Sequence, residues 1–296
     1  MEVDEAIWYQ LIIALLFLKY TTRVIFQTGC LGLFSSDSLE FRQRIFFFVE
    51  HVLFTIWGFI CVIYYPGNSS WYYTPRLCWV YPPHMPSESF HYYYIAKCGT
   101  HLEDVLYRMY ENFVRPPALQ SIVVSDSSSQ TGRLESKPEN GNRPNSQPDV
   151  MMDIHHYATA LLCLLSYASG YYHIGSLLML IHDASDIPLD LLKIGMTLNW
   201  DILTYASYAV TLVAWAYFRL YYLAVLLYSL VFDTTTSFIF PCEGSWENAT
   251  CARGMYMEMS VYVLLIGSLW VLHLLWFRKM LRKGYKLIVG GESAHN

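Results

Sequence analysis

The segment at residues 45–65, IFFFVEHVLFTIWGFICVIYY, constrains this chain most, because stretches of the same kind recur along its length. A helix needs roughly 20 mainly apolar residues to cross the hydrocarbon core of a bilayer. Segments at 6–26, 45–65, 88–110, 152–170, 174–198, 202–231 and 257–277 approach that length. Only 15% of the 296 residues are charged and 54% are hydrophobic, whereas a globular domain carries about 25% charge. The expected fold class is therefore all-α, a polytopic membrane protein of about seven transmembrane helices. The third segment is the least apolar, since it holds His91, Lys97, His101, Glu103, Asp104 and Arg108. Lys19, near the end of the first, is expected to snorkel to the interface.

Between these segments lie polar loops. Residues 115–149 are rich in Ser, Pro, Asn and Gly, too poor in apolar side chains to order themselves, and are expected to form a flexible loop. The N-terminus opens with Glu2, Asp4 and Glu5 and does not read as a cleaved signal peptide. A net charge of −5 gives no basic field for nucleic acid. The seven cysteines form no CxxC pair or zinc-like spacing, and Cys30, Cys61, Cys98 and Cys163 are expected to pack in apolar surroundings.

Orientation follows from the basic residues. Lys19, Arg23, Arg42 and Arg44 flank the first loop, Arg115, Arg133, Lys137 and Arg143 lie in the 115–149 loop, and Arg278, Lys279, Arg282, Lys283 and Lys286 end the chain. Seven spans put all three groups on one side, predicting a cytosolic C-terminus and a lumenal N-terminus. The sequons at Asn68 and Asn248 both fall in loops assigned to the lumen, as glycosylation requires. Cys242 and Cys251 share one of those loops, where they are either bridged or free.

The stretch with chemical content is 153–193, DIHHYATALLCLLSYASGYYHIGSLLMLIHDASDIPLDLLK. An ionisable side chain at bilayer depth costs about 2.5–3.5 kcal/mol on insertion scales, so it normally faces a protein interior. His182, Asp186 and Asp190 recur every four residues on one helical face with Asp183 at its edge, and His155, Thr159 and Ser166 follow spacings of four and seven. The paired His155 and His156 are expected to meet Asp186 and Asp190 in the cytosolic leaflet, with His182 deeper. Pro188 is expected to perturb the backbone between the two aspartates, as breaks lining cavities do. A neutral imidazole can take a proton from an amine or attack a thioester, and carboxylates can hold an ammonium. His51, His91 and His273 read as packing residues, and Lys97, His101, Asp104 and Arg108 as an ion-pair network facing the same interior. His and Asp also ligate metals, but one HH pair without HxxHH clusters sets the chain apart from membrane di-iron oxygenases, and no metal is expected.

These residues resemble the Lag motif of ceramide synthases, in the TLC-domain family, which opens with HHxxT, continues to SY and G, and closes on LHDxxDxxLExxK. The matches fall on His155, His156, Thr159, Ser166, Tyr167, Gly175, His182, Asp183, Asp186 and Lys193. The resemblance extends over about residues 40–285. It implies a six-helix bundle around a polar cavity at 41–285, preceded by a lumenal end and first span at 1–40 and followed by a cytosolic tail at 286–296. It further implies transfer of a fatty acyl group from acyl-CoA, as co-substrate and without another cofactor, to the amine of a sphingoid base in the endoplasmic reticulum membrane. His155, His156, His182 and Asp183 would then be catalytic, and Asp186, Asp190, Thr159, Ser166, Tyr167 and Lys193 would bind substrate. Arg108 and Arg115 would hold CoA phosphates. A homo- or hetero-dimer or an accessory subunit stays open. Two other readings are a lipid sensor, chaperone or transporter without catalysis, and a metal-dependent lipid hydroxylase. The chain departs from the family pattern at Asp190, where Glu is usual, and near Gly170 and His173, where Asn and Arg are common. The basic segment before the histidines is replaced by the 115–149 insertion, and neither a homeobox-like domain nor an acidic regulatory tail is apparent.

Overall fold

A computed structural model describes residues 19–25, 39–64, 72–79, 87–110, 150–233 and 249–289. Asn68, Asn248, Arg115, Cys30, the 115–149 loop and the proposed Cys242–Cys251 pairing lie outside the described residues, as do residues 6–18 of the first expected span. The described residues are helical, without strands. A helical segment, α1, covers residues 19–25. Then follow α2 (Leu39–Gly58, continued by π-helical turns over Phe59–Tyr64), α3 (Glu88–Met109), α4 (Val150–Ala168) and α5 (Tyr172–Thr197). The next helix, α6, runs from Asp201 to Asp233, and the last, α7 (Ala249–Val289), has 41 residues. At a rise of about 1.5 Å per residue, α7 is about twice as long as the roughly 30 Å hydrocarbon layer is thick.

By length and composition three of these helices can cross a membrane, over Phe41–Tyr64, Asp201–Phe232 and Met257–Tyr285. Their outward faces suit lipid. Leu53, Ile202, Val213 and Leu264 are 62, 76, 71 and 71% exposed, far more apolar surface than water tolerates in one place. The protein is thus an all-α, polytopic membrane protein. The helices without such a window, α3, α4 and α5, are the ones that carry the ionisable stripes.

Local chemistry sets the ends of these helices. Ser87 caps α3 by accepting the Phe90 amide at 3.1 Å, with Glu88 in the first turn, satisfying a donor that the helix leaves open. The α4–α5 turn hinges on Gly170 at φ 76°, and the α5–α6 turn on Asn199 at φ 51°. Both are left-handed conformations, which Gly and Asn tolerate best. At the second turn the Trp200 amide closes back on the Gly195 carbonyl at 2.9 Å.

Helix α5 lies at the centre, packed most extensively on α2 and α6. Its run from Ile174 to Ile181 is buried all round, as only an interior helix can be. The expected disturbance at Pro188 is not a break, because α5 continues through it to Thr197 with Pro188 buried. Proline gives up one backbone hydrogen bond, and the packed neighbours of α5 hold the helix together across that gap. Irregular backbone appears elsewhere, as π-helical turns at Trp215–Tyr222 and Ser229–Asp233 within α6.

Ser166 and Tyr167, expected to bind substrate, and Gly175 of the motif are not among the residues that line the polar cavity; they join α3, α4 and α5. The Ser166 hydroxyl donates to the Leu162 carbonyl at 2.6 Å and accepts from the Tyr94 hydroxyl at 2.5 Å. Tyr167 meets His91 at 3.2 Å. A Cβ on Gly175 would run into the Tyr94 hydroxyl and the Ser166 Oγ, so glycine here permits the close approach. Gly175→Val is therefore expected to destabilise the bundle by about 1–3 kcal/mol through overpacking. A thermal unfolding curve of the detergent-solubilised variant checks this, and an unchanged midpoint would contradict it.

Candidate active site

The polar stripes of the helices converge on one cavity of about 800 Å³, within the usual range for small-molecule sites. Residues of all seven helices line it: Arg23 of α1, His51 of α2, Lys97 and His101 of α3, His155, His156 and Thr159 of α4, His182, Asp183, Asp186, Asp190 and Lys193 of α5, Arg219 of α6 and Trp276 of α7. Of the described residues expected to be catalytic or to bind substrate, only Ser166 and Tyr167 are not among its lining residues.

Along α5, successive ionisable groups each meet a different helix. The His182 Nε2 lies 3.0 Å from the Nε2 of His273 on α7. Asp183 Oδ1 accepts from Lys97 Nζ of α3 at 2.8 Å, both side chains being almost fully buried. Asp186 Oδ2 pairs with Arg219 Nη2 of α6 at 2.6 Å. Asp190 Oδ2 sits 2.7 Å from His51 Nδ1 of α2, with Lys193 Nζ at 3.9 Å from its other oxygen. In an apolar bundle a carboxylate without such a partner would bear most of its desolvation cost. Asp183 is thus turned to Lys97 and not to His182. His182 is fixed by the Leu178 carbonyl, 2.7 Å from its Nδ1. A carbonyl only accepts, so Nδ1 carries the proton, Nε2 is the accepting nitrogen, and His273 must donate to it.

The imidazoles form a cluster. The His155 ring centre is 5.6 Å from that of His156, 6.0 Å from His182, 5.4 Å from His273 and 5.3 Å from Trp276. His155 Nδ1 is buried without a hydrogen-bond partner. Thr159 lines the cavity too, its hydroxyl donating to the His155 carbonyl at 2.7 Å. Among the described residues no three His, Cys, Asp or Glu side chains are disposed to hold a metal ion.

Of three residues passed over or set aside on sequence grounds, Arg219 and His51 line this cavity and His273 backs His182. Arg219, 2% exposed, stands in the π-helical part of α6. Its Nε donates to Ser185 Oγ at 2.6 Å, its Nη2 to the His182 carbonyl at 3.1 Å, and its guanidinium lies 4.4 Å over Trp215. A lone arginine amid aromatic residues was the available signal. His51 and His273, read as packing residues, pair with Asp190 and His182, 139 and 91 positions away. Lys19 does not snorkel. It is 7% exposed and meets Glu50 at 2.9 Å and Asp104 at 3.2 Å, while Arg23 Nη2 meets Glu103 at 2.8 Å and Asp104 at 2.6 Å. These two cations are consumed by interior carboxylates and do not count toward orientation. Arg108 pairs with Asp153 at 3.0 Å. Arg44, Lys193, Lys279 and Lys283 also line the cavity, the last two exposed.

Residues 40–282 match the TLC domain family, a span that includes every lining residue from Gln43 to Met280. The chain belongs to the TLC-domain family. It is similar to ceramide synthase 4 of Homo sapiens, 25% identical over 239 residues, covering 79% of this chain and 48% of that protein. Ceramide synthase hyl-1 of Caenorhabditis elegans is 22% identical over 241 residues, 80% of this chain and 55% of the relative. A sphingosine N-acyltransferase-like protein of Gibberella moniliformis is 30% identical over 139 residues, 46% of this chain and 34% of the relative. The chain thus spans about half or less of the length of the curated relatives it matches.

Replacing Arg219 by Met removes the partner of Asp186 and is expected to cost about 3–5 kcal/mol, the usual result of stranding one member of a buried pair. Adding Asp186→Asn is expected to recover part of that loss. Chemical or thermal unfolding of the single and double variants measures both. A double variant no more stable than Arg219→Met alone would refute the pairing.

Proposed function

We propose that this protein is an N-acyltransferase of the ceramide synthase type, joining a fatty acyl group from acyl-CoA to the amine of a sphingoid base in the endoplasmic reticulum membrane. The observation that carries this reading is the imidazole cluster of His155, His156 and His182 within a cavity also lined by Arg44, Lys193, Lys279 and Lys283. The names of the relatives in the same family agree with it.

Amide formation from a thioester asks four things of the site. The CoA phosphates need cations, and Arg44, Lys193, Lys279 and Lys283 of the cavity lining provide them. The ammonium of the acceptor needs anionic groups, and Asp183 retains an oxygen, Oδ2, without a hydrogen-bond partner. The nitrogen must then lose its proton and attack the thioester carbonyl carbon. A C–N bond forms, the C–S bond breaks, and the departing sulfur takes up a proton to leave as free CoA. His155 or His156 serves as general base in this exchange or takes the acyl group transiently before the amine receives it. His182, with both nitrogens engaged by Leu178 and His273, positions the cluster. Lumenal N-terminus and cytosolic C-terminus belong to the same proposal, supported by the exposed basic residues Arg278, Lys279, Arg282 and Lys283 of α7.

The test is purified protein supplied with a panel of acyl-CoAs and one sphingoid base, with amide product and released CoA both measured. Product is expected in a one-to-one ratio with CoA. His156→Ala and His155→Ala are each expected to lower the rate by about 10²-fold or more, the usual contribution of a positioned proton-transfer group. Native rates from both folded variants would sink the assignment.

A further inference from the structure

The catalytic proposal leaves one proton without a destination. A sphingoid amine enters as an ammonium, RNH3⁺, and the products are a neutral amide and a neutral thiol, so each turnover releases one proton inside the cavity. We propose, resting on the N-acyltransferase reading, that His51 is a further catalytic residue, the base that takes this proton from the acceptor ammonium, held in position by Asp190.

The geometry that supports this is a second His–carboxylate pair, separate from the imidazole cluster. His51 stands on α2, faces the cavity and keeps 21% of its side chain accessible. Its Nδ1 meets Asp190 Oδ2 at 2.7 Å, and its ring stacks on Phe47 with centroids 6.5 Å apart. Its Nε2 has no partner among the described residues. With Nδ1–H donated to the carboxylate, that second nitrogen presents its lone pair to the cavity, the arrangement by which a carboxylate sets an imidazole up as a proton acceptor. Along α5, Asp190 lies eight residues beyond His182, about 12 Å further along the helix, where His51 is more accessible than the buried His182. The charged groups facing His51 are Asp183, Asp186 and Asp190 of α5. Around them stand Lys97 of α3 on Asp183, Arg219 of α6 on Asp186, Lys193 on Asp190, and Lys19 of α1 on Glu50, the residue before His51. Each of these cations is engaged by a carboxylate.

In balance, RNH3⁺ gives one proton to Nε2, leaving RNH2 with its lone pair free for the thioester, and the imidazolium returns that proton to water. Without His51, only acceptor that arrives already neutral can react. The rate of His51→Gln should then rise about tenfold per pH unit below the pKa of the free amine, more steeply than that of the wild type. At neutral pH the expected loss in kcat is about 10²-fold, with KM for acyl-CoA unchanged. An acceptor of the same chain length whose amine is largely unprotonated at pH 7, such as a β,β-difluoroamine, should restore the variant to within about threefold of wild type, a residue that touches only the proton being dispensable when there is none to take. If His51→Gln does not fold, Asp190→Asn carries the test, with the same steepening and the same rescue expected. A loss by a constant factor at every pH, unrelieved by the fluorinated acceptor, overturns the proposal and makes His51 a packing residue. Wild type that yields no amide from any acyl-CoA overturns the N-acyltransferase reading and this assignment with it.

Discussion

Everything in this bundle leans on the burial of charge along α5. Four ionisable groups on one helix would each cost several kcal/mol if left alone in a low-dielectric surround. Each is answered from a different helix: His182 by α7, Asp183 by α3, Asp186 by α6 and Asp190 by α2. The partners thus fix the position of four helices around one axis, and the same contacts that hold the bundle together leave polar groups at its centre. In this protein the requirement for pairing and the existence of a polar cavity are one constraint seen twice. The Lys19–Arg23 group on Glu50, Glu103 and Asp104 adds α1 to the assembly by the same means.

Much of this was legible in the sequence because it is periodic. Hydrophobic runs of membrane length gave the helices, and the spacing of His182, Asp186 and Asp190 gave the face of α5 that turns inward. The pair at 155–156 stood out because two adjacent imidazoles in an apolar segment are rare. Arg219, His51 and His273 escaped for the opposite reason. None of the three has an Asp, Glu, His, Lys or Arg neighbour three or four positions away in its own helix to form a stripe, and its partner lies 33 to 139 positions away. Lys19 misled in a different manner: a lysine near a helix end normally reaches for the interface, and only the carboxylates of α2 and α3 explain why this one turns inward.

The 153–193 stretch also divides by physical role in a way that spacing does not reveal. Its first and last parts, around His155 and from His182 to Lys193, supply the cavity wall. Its middle part, Ser166, Tyr167 and Gly175, supplies close contact between helices, with the Tyr94 hydroxyl wedged against the serine where a larger residue than glycine could not be accommodated. Polar residues at helical spacing read alike in sequence whether they face a ligand or a neighbouring helix. The difference is whether a partner already fills their hydrogen-bonding capacity.

The widened turns of α6 carry a consequence for register. Ser207, Thr211, Trp215 and Arg219 are all buried, one every four residues. On an ideal α-helix with about 3.6 residues per turn, such a four-step series would wind off to the side by about 40° at each step. The last step, Trp215 to Arg219, lies in turns closed from i to i+5, which take in extra residues and remove the drift from that step, so the guanidinium is delivered to α5. A relative lacking one residue in this stretch would present Leu220 or Phe218 where the arginine now stands, and an alignment scored by identity alone would not notice the rotation.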